Sequence, residues 1–377
     1  MSKTIIEKNM KKILSVTIWD YTNFGNRLQA YALNSLLQKD MGCEVYNLIY
    51  GFYEPVNQKI KSVIKNIMGS LGVSRFRHLR TERIRSKSNL AWSQEHFTRQ
   101  IPIGNRYKRL QKQDFSKYDF VITGSDQVWH NWDRQDRELD YYYLQFIPEN
   151  KRLCFSPSFG FETVPDADRE SHRKGLRGMP ILSCREQAGC EIIRELTGRT
   201  ASLIPDPTLC LDRRDWEQLS EPPAEPLPEN YILLFFLGGI NNETKKSIND
   251  AALQMDLRIV DIGRFTTNKY FSINAGHFLW MIQHASFICT DSFHATVFSI
   301  IFQRDFYAFR RNGMSLMFDR IETLLERFDM KDRIIKEHAF FSSQIEKDRF
   351  LKAEQVLRES RQQALNYLAN DCGLMQG

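Results

Sequence analysis

Phe287-Ile-Cys-Thr-Asp-Ser-Phe-His-Ala-Thr-Val-Phe-Ser-Ile-Ile-Phe302 is the stretch on which the fold turns. A short apolar run, Phe287 to Cys289, stops at the small polar turn Thr290-Asp291-Ser292, and His294 then opens a second apolar segment with helical spacing. The pattern predicts a strand, a tight turn and a helix start, the place where α/β proteins gather ligands. The first N–H groups of a helix are unpaired and its dipole is positive there, so anions favour the position. A histidine at such a point serves either as a general acid or phosphate contact, or as a buried, hydrogen-bonded turn residue.

The same rhythm runs outward in both directions. Toward the N-terminus, Ile13 to Trp19 reads as a strand, Asp20 to Asn26 as a polar loop, and Arg27 to Met41 as a helix with Leu28, Ala32, Leu33, Leu36 and Leu37 on one face. Gly42 ends that helix and Glu44 to Tyr50 is a second strand. Strands are expected again at Tyr118 to Thr123, Leu153 to Ser156, Ile181 to Cys184 and Ala201 to Ile204, with helices near Asp166 to Met179 and Gln187 to Thr197. Four prolines between Pro222 and Pro228 exclude helix and central strand, so this stretch reads as a linker. Beyond it the alternation restarts with strands at Tyr231 to Leu237, Arg258 to Ile262 and Phe306 to Phe309, and a long amphipathic helix, about Ser343 to Ala369, closes the chain. The fold expected is α/β, with two Rossmann-like domains facing across a cleft in the GT-B arrangement and the C-terminal helix crossing back onto the first. The boundaries expected are 1–220, 229–340 and a C-terminal helical segment, 341–377.

The chain of 377 residues suits two domains on a prior of about 150 residues each, and 26% charged with 42% hydrophobic residues is ordinary for a protein with sizeable cores. No apolar run approaches the roughly 18 residues of a membrane span, and Ile13 to Trp19 is too short for a signal core. Seven scattered cysteines, mostly in apolar segments, are expected to be buried thiols of a cytoplasmic protein. The net charge of +6 is uneven: residues 51–115 hold fourteen Lys or Arg against four acidic side chains. Such a segment suits anionic lipid headgroups, giving a peripheral contact with the inner face of a membrane, or a polyanionic substrate, or is a solvated helical excursion. No nucleic-acid module accompanies it, so nucleic acid is not an expected partner.

The usual signatures of nucleotide, zinc-protease and serine-hydrolase sites are absent, and no metal ligands stand at usable spacing, so no required metal is expected. What remains is a set of Asn, Ser, Asp, Arg and His clusters at strand ends, suited to hydroxyl-rich and phosphorylated ligands. In order, these are Asn23-Phe24-Gly25-Asn26-Arg27-Leu28-Gln29, Gly124-Ser125-Asp126-Gln127-Val128-Trp129, Ser156-Pro157-Ser158-Phe159-Gly160, Ser183-Cys184-Arg185-Glu186, Asp206-Pro207-Thr208 and Thr290-Asp291-Ser292-Phe293-His294. Each is weak alone. Six in one order, spanning about Ile13 to Arg333, resemble the polysaccharide pyruvyl transferase family.

That resemblance implies transfer of pyruvate from phosphoenolpyruvate, as donor substrate with no further cofactor, onto a sugar or lipid-linked oligosaccharide, forming a pyruvate ketal on a bacterial surface polysaccharide or its precursor. C3 of the donor must gain a proton and phosphate must leave, so a proton donor and cations are needed. By likeness His294 takes the acid or phosphate role and Arg185 an anion-binding role. Asp291 and Ser292 fall on the donor side, and Asn23, Gly25, Asn26, Ser125, Asp126, Gln127 and Ser158 on the acceptor side. Where family members often carry Arg two positions before the histidine, this chain has Ser292, which brings no charge. Arg310, Arg311 and Arg320 are the candidate replacements; if none reaches the site, a nucleotide-sugar donor or a non-catalytic glycan-binding role is the natural reading. Blander roles stand beside these: Asn23 and Asp126 as caps, Trp129 and Trp132 as core, Glu186 as the ion-pair partner of Arg185, and Asp206-Pro207 as a stiffener near the hinge.

Overall fold

A computed structural model describes residues 10–50, 77–103, 107–131, 138–263, 268–310, 319–335 and 344–375. Two five-stranded parallel sheets form the two lobes. The first is ordered β3-β2-β1-β4-β5, from β1 (Lys12–Val16), β2 (Glu44–Tyr50), β3 (Gln100–Ile103), β4 (Phe120–Gly124) and β5 (Arg152–Phe155). A two-stranded extension, β6 (Ser183–Cys184) with β7 (Ser202–Leu203), follows it. The second sheet is ordered β12-β11-β10-β8-β9, from β8 (Tyr231–Phe235), β9 (Arg258–Asp261), β10 (Phe287–Thr290), β11 (Phe306–Phe309) and β12 (Ile334–Ile335). All five residues of β8 and all four of β10 are buried, as central parallel strands covered on both faces require.

In each sheet the order reverses beside the first strand, between β1 and β4 and between β8 and β10. Loops leaving such paired strands diverge to opposite faces and open a crevice at their carboxyl ends. The clusters around Asn23 and Asp126 stand at the first reversal, those around Gly238 and Asp291 at the second. The two reversal points face one another.

Apolar contacts lock the lobes. Phe24, on the helix Phe24–Ser35 after β1, stacks on Phe278 with centroids 4.9 Å apart and lies 5.7 Å from Phe235, both of the second lobe. The helix Lys347–Asn366 crosses back onto the first lobe: Arg361 bridges to Asp40 at 2.6 Å, and the Tyr367 hydroxyl donates to the Cys154 carbonyl at 2.9 Å. Glu221 to Pro228 forms no strand or helix, and the Pro226 carbonyl accepts the Tyr270 hydroxyl at 2.9 Å.

Several boundaries differ from the sequence reading. The first helix begins at Phe24, not Arg27, because Asn23 accepts the Asn26 N–H at 3.2 Å and caps it there; Phe24, Gly25 and Asn26 are its first turn. Its last turn, Leu36–Asp40, widens to π-helical geometry. Within the basic segment the helix Arg77–His96 and β3 appear, while residues 51–76 lie outside the described residues. Arg85 from that helix is not a solvated charge. It is buried, donates to the carbonyls of Ile262, Gly263 and Phe271 at 3.2–3.3 Å, and lies 5.2 Å over the Phe24 ring, strapping the helix to the far lobe. Among the described residues no helix is long and apolar enough to cross a membrane.

Candidate functional site

On the first lobe, Asn26 Nδ2 donates to Asp126 Oδ2 at 2.8 Å, tying the ends of β1 and β4 together. Beneath them Arg27 is fully buried, donates to the Ile18 carbonyl and Asn26 Oδ1, and lies 4.2 Å over the Trp19 ring. Burial lowers its pKa to about 10 even though Tyr21, Asp20 and Asp126 favour its charge. Asp126 takes the left-handed backbone conformation, φ 68°, and its own carboxylate accepts the Gln127 N–H at 2.9 Å. Ser125 Oγ donates to the Ser156 carbonyl at 2.9 Å and lies 3.3 Å from Asp206 Oδ2.

Arg185 follows β6 and is buried. Its Nη1 donates to Asp206 Oδ2 at 2.6 Å, and its Nε is 3.9 Å from Glu186 Oε2. Burial disfavours the guanidinium, but Asp206, Glu186 and Asp126 outweigh it and hold the pKa above its ordinary value. Burial likewise pushes the Asp206 carboxyl up; His294 and Arg185 beside it, with the Thr208 donor, more than offset this and hold it well below the usual carboxylate range. Asp126 follows the same logic: burial is overcome by Arg185, His294, the Asn26 hydrogen bond and Arg320, and its pKa is lowered.

From the second lobe comes His294, in the first turn of the helix Phe293–Ile301. Ser292 caps that helix by accepting the Ala295 N–H at 3.4 Å. Asp291 holds the loop after β8, accepting the N–H groups of Leu237 and Gly238 at 2.6 and 2.8 Å. The imidazole crosses to the first lobe, with Nε2 3.8 Å from Asp206 Oδ2. Its other edge lies against Gly25, where a Cβ would stand 2.1 Å from Nδ1, so only glycine admits the ring. Two guanidinium groups lie near the Phe293 ring, Arg185 at 4.8 Å and the half-buried Arg320 at 5.9 Å from its centroid.

Most of the expected residues thus converge, though not all in the expected roles. Asn23, Asp291 and Ser292 serve the backbone as caps and loop anchors, and Gly25 serves His294 by lacking a side chain. Gln127 and Ser158 are buried, and Gln127 Nε2 and Ser158 Oγ have no hydrogen-bond partner among the described residues. Arg310 is paired with Glu322 and half exposed, a surface ion pair in place of the donor contact expected; Arg311 and Trp132 lie outside the described residues. Trp129 is core, stacked on Tyr143 at 5.2 Å. The sequence reading missed the weight of Asp206. Its capping of Thr208 was foreshadowed by the Asp-Pro-Thr order, but its contacts with Arg185 and His294 join residues more than twenty and eighty positions away.

Buried donors and acceptors are normally satisfied. Here His294 Nε2, Arg185 Nε and Arg185 Nη2 are buried without a hydrogen-bond partner among the described residues, all at the lobe junction. With Nη1 on Asp206, the remaining Nε–Nη2 edge of Arg185 has the fork geometry that takes a carboxylate or phosphate.

The fold is a two-lobed α/β architecture of the GT-B arrangement. Solved structures with the same architecture include a Listeria monocytogenes protein assigned as a UDP-N-acetylglucosamine 2-epimerase, 10% identical over 97% of this chain and 96% of that one, with a TM-score of 0.55. Another is S. aureus MnaA solved with UDP, 10% identical over 97% and 98% of the two chains, with a TM-score of 0.51. At that identity the likeness is one of fold. No curated protein matches the chain in sequence. The family model described as polysaccharide pyruvyl transferase matches residues 23–313, and the chain belongs to that family.

Proposed function

We propose that this protein moves pyruvate from phosphoenolpyruvate onto a sugar of a bacterial surface polysaccharide or its precursor, closing a pyruvate ketal. The observation that carries the reading is the junction itself: an imidazole from one lobe and the free edge of a guanidinium from the other, both buried and unsatisfied, beside Asp206. In this chemistry His294 delivers a proton to C3 of the enolpyruvyl group, leaving C2 electron-poor. One sugar hydroxyl oxygen bonds to C2 and its proton returns to the imidazole. The C2–O bond to phosphate then breaks, and a second hydroxyl closes the ketal as its proton leaves with phosphate. Arg185 binds the donor's anionic end through Nε and Nη2. Arg320, 5.9 Å from the Phe293 ring centroid, supplies the charge that Ser292 does not, and its charge favours the ionised form of Asp126. Asn26, Asp126, Gln127 and Ser158 stand on the acceptor side. A lipid-linked acceptor, with the basic segment resting on anionic headgroups, belongs to the same proposal.

A second reading, a nucleotide-sugar donor, is favoured by the UDP held in the MnaA structure of like fold. Thermal melts separate the two: a donor at 100 times its Kd adds about 2.7 kcal/mol. Stabilisation by phosphoenolpyruvate and none by UDP-sugars supports pyruvyl transfer; the reverse overturns it.

A further inference from the structure

Asp206 lies three residues beyond the end of β7 and its carboxylate is completely buried. Oδ1 accepts the Thr208 N–H at 3.0 Å and the Thr208 hydroxyl at 2.6 Å, which alone would cap the short turn Pro207–Leu209. Capping needs only that oxygen. Oδ2 points the other way, into the junction, where it takes Arg185 Nη1 at 2.6 Å, lies 3.3 Å from Ser125 Oγ and stands 3.8 Å from His294 Nε2. Arg185 and Ser125 belong to the first lobe and His294 to the second, so one oxygen faces the chemistry-bearing groups of both.

We infer that Asp206 is a positioning residue, its Oδ1 fixed by Thr208 so that Oδ2 holds the Arg185 guanidinium and the His294 imidazole in one arrangement across the lobe junction. Its contact with Arg185 through Nη1 leaves the Nε–Nη2 edge, which makes no hydrogen bond among the described residues and has Glu186 Oε2 3.9 Å from Nε, to take an anion. Its charge draws the imidazole of the opposite lobe to the same point, so the anion-binding edge and the proton-carrying ring keep a fixed separation. A buried carboxylate is retained in such a place only if its partners compensate its desolvation, and the depressed Asp206 pKa is consistent with that compensation. The kinetic consequence rests on the pyruvyl-transfer reading; the structural one does not.

Two measurements on Asp206→Asn test the inference. Asparagine keeps an acceptor oxygen and the shape but removes the charge. In steady-state phosphate release from phosphoenolpyruvate, kcat is expected to fall about tenfold or more while KM rises by less than that factor. A residue that only caps its turn would lower the melting temperature and leave kcat, assayed well below it, within a few-fold of the parent; that result overturns the inference. Independently of activity, urea melts of Asp206→Asn, His294→Gln and the double variant form a cycle. Coupling across the lobes makes the double variant lose clearly less than the summed midpoint shifts, and simple additivity overturns the cross-lobe contact. If the parent releases no phosphate from phosphoenolpyruvate, the proposed function fails while the cycle still decides this point. Should Asp206→Asn not fold, Thr208→Val, which loosens the carboxylate without removing it, takes its place with the same outcomes at smaller size.

Discussion

Gly25→Ala is the smallest change that should disturb the junction, and its size follows from the structure. The new Cβ would lie 2.1 Å from His294 Nδ1, 2.3 Å from Cγ and 2.6 Å from the histidine Cβ. Carbon contacts settle at about 3.5–4.0 Å, so the ring or the whole helix start must retreat by more than about 1 Å. The helix is capped by Ser292 and fed by β10 in the centre of its sheet, while Gly25 sits in the first turn of a helix packed on Phe278. Neither side yields cheaply. Overpacking of this kind costs about 1–3 kcal/mol, and a catalytic group displaced by about 1 Å loses on the order of a hundredfold in rate. Urea melts and phosphate-release kinetics on the same preparation read both effects. The clash also predicts its own cure, and because the histidine Cβ is one of the clashing atoms the cure needs a residue without one: adding His294→Gly to Gly25→Ala should restore the stability of His294→Gly alone. Unchanged melting and a kcat within twofold of the parent would refute the close approach and the role given to the ring.

Arg85→Met should destabilise the protein by about 2–4 kcal/mol in urea melts, because the carbonyls of Ile262, Gly263 and Phe271 lose their buried donor; Arg85→Lys should recover little, since an ammonium cannot fork to several carbonyls. His172 is fully buried, pushed down to about 4 by burial, with its Nδ1 2.7 Å from the Tyr143 hydroxyl. Below the unfolded value of about 6.5 the unfolded chain binds a proton that the native one refuses, so acidification from there to pH 4 should cost about 3 kcal/mol. His172→Gln should flatten that part of the stability profile, and an unchanged slope would discount the assignment. Arg185→Ala should destabilise by about 3–5 kcal/mol as well as weaken donor binding, because Asp206 is left buried without its ion-pair partner; loss of binding with unchanged urea midpoint would contradict the pairing.

The alternation of strand, polar loop and helix was legible because central parallel strands are buried on both faces and appear as continuous apolar runs, as in Tyr231–Phe235 and Phe287–Thr290. Polar residues at the strand ends pointed to the site for the same reason: the strands deliver them to one edge. Less legible was β3, four residues with a proline inside a charged stretch. The start of the first helix was misread because a buried Phe and Gly at its first turn look like loop, and what makes them helical is the Asn23 cap. Asp206 was read as a stiffener and Arg85 only as one of the fourteen basic residues of 51–115, since the identity of a charged residue does not show which distant chain segment will bury it. Arg320 was named only as one of three candidates; its distance from Phe293 distinguishes it from Arg310, which turns to Glu322.

The proposed reaction stands or falls with proton transfer from His294, held between the lobes, to phosphoenolpyruvate. Incubating the protein with phosphoenolpyruvate and precursor sugars, while following phosphate release and acceptor mass together, tests it most directly, with His294→Gln in parallel. Coupled release and mass gain are expected in the parent, with a loss on the order of a hundredfold or more in a variant that still melts cooperatively. Equal turnover in the variant, or a parent that ignores phosphoenolpyruvate and consumes a UDP-sugar, would contradict it.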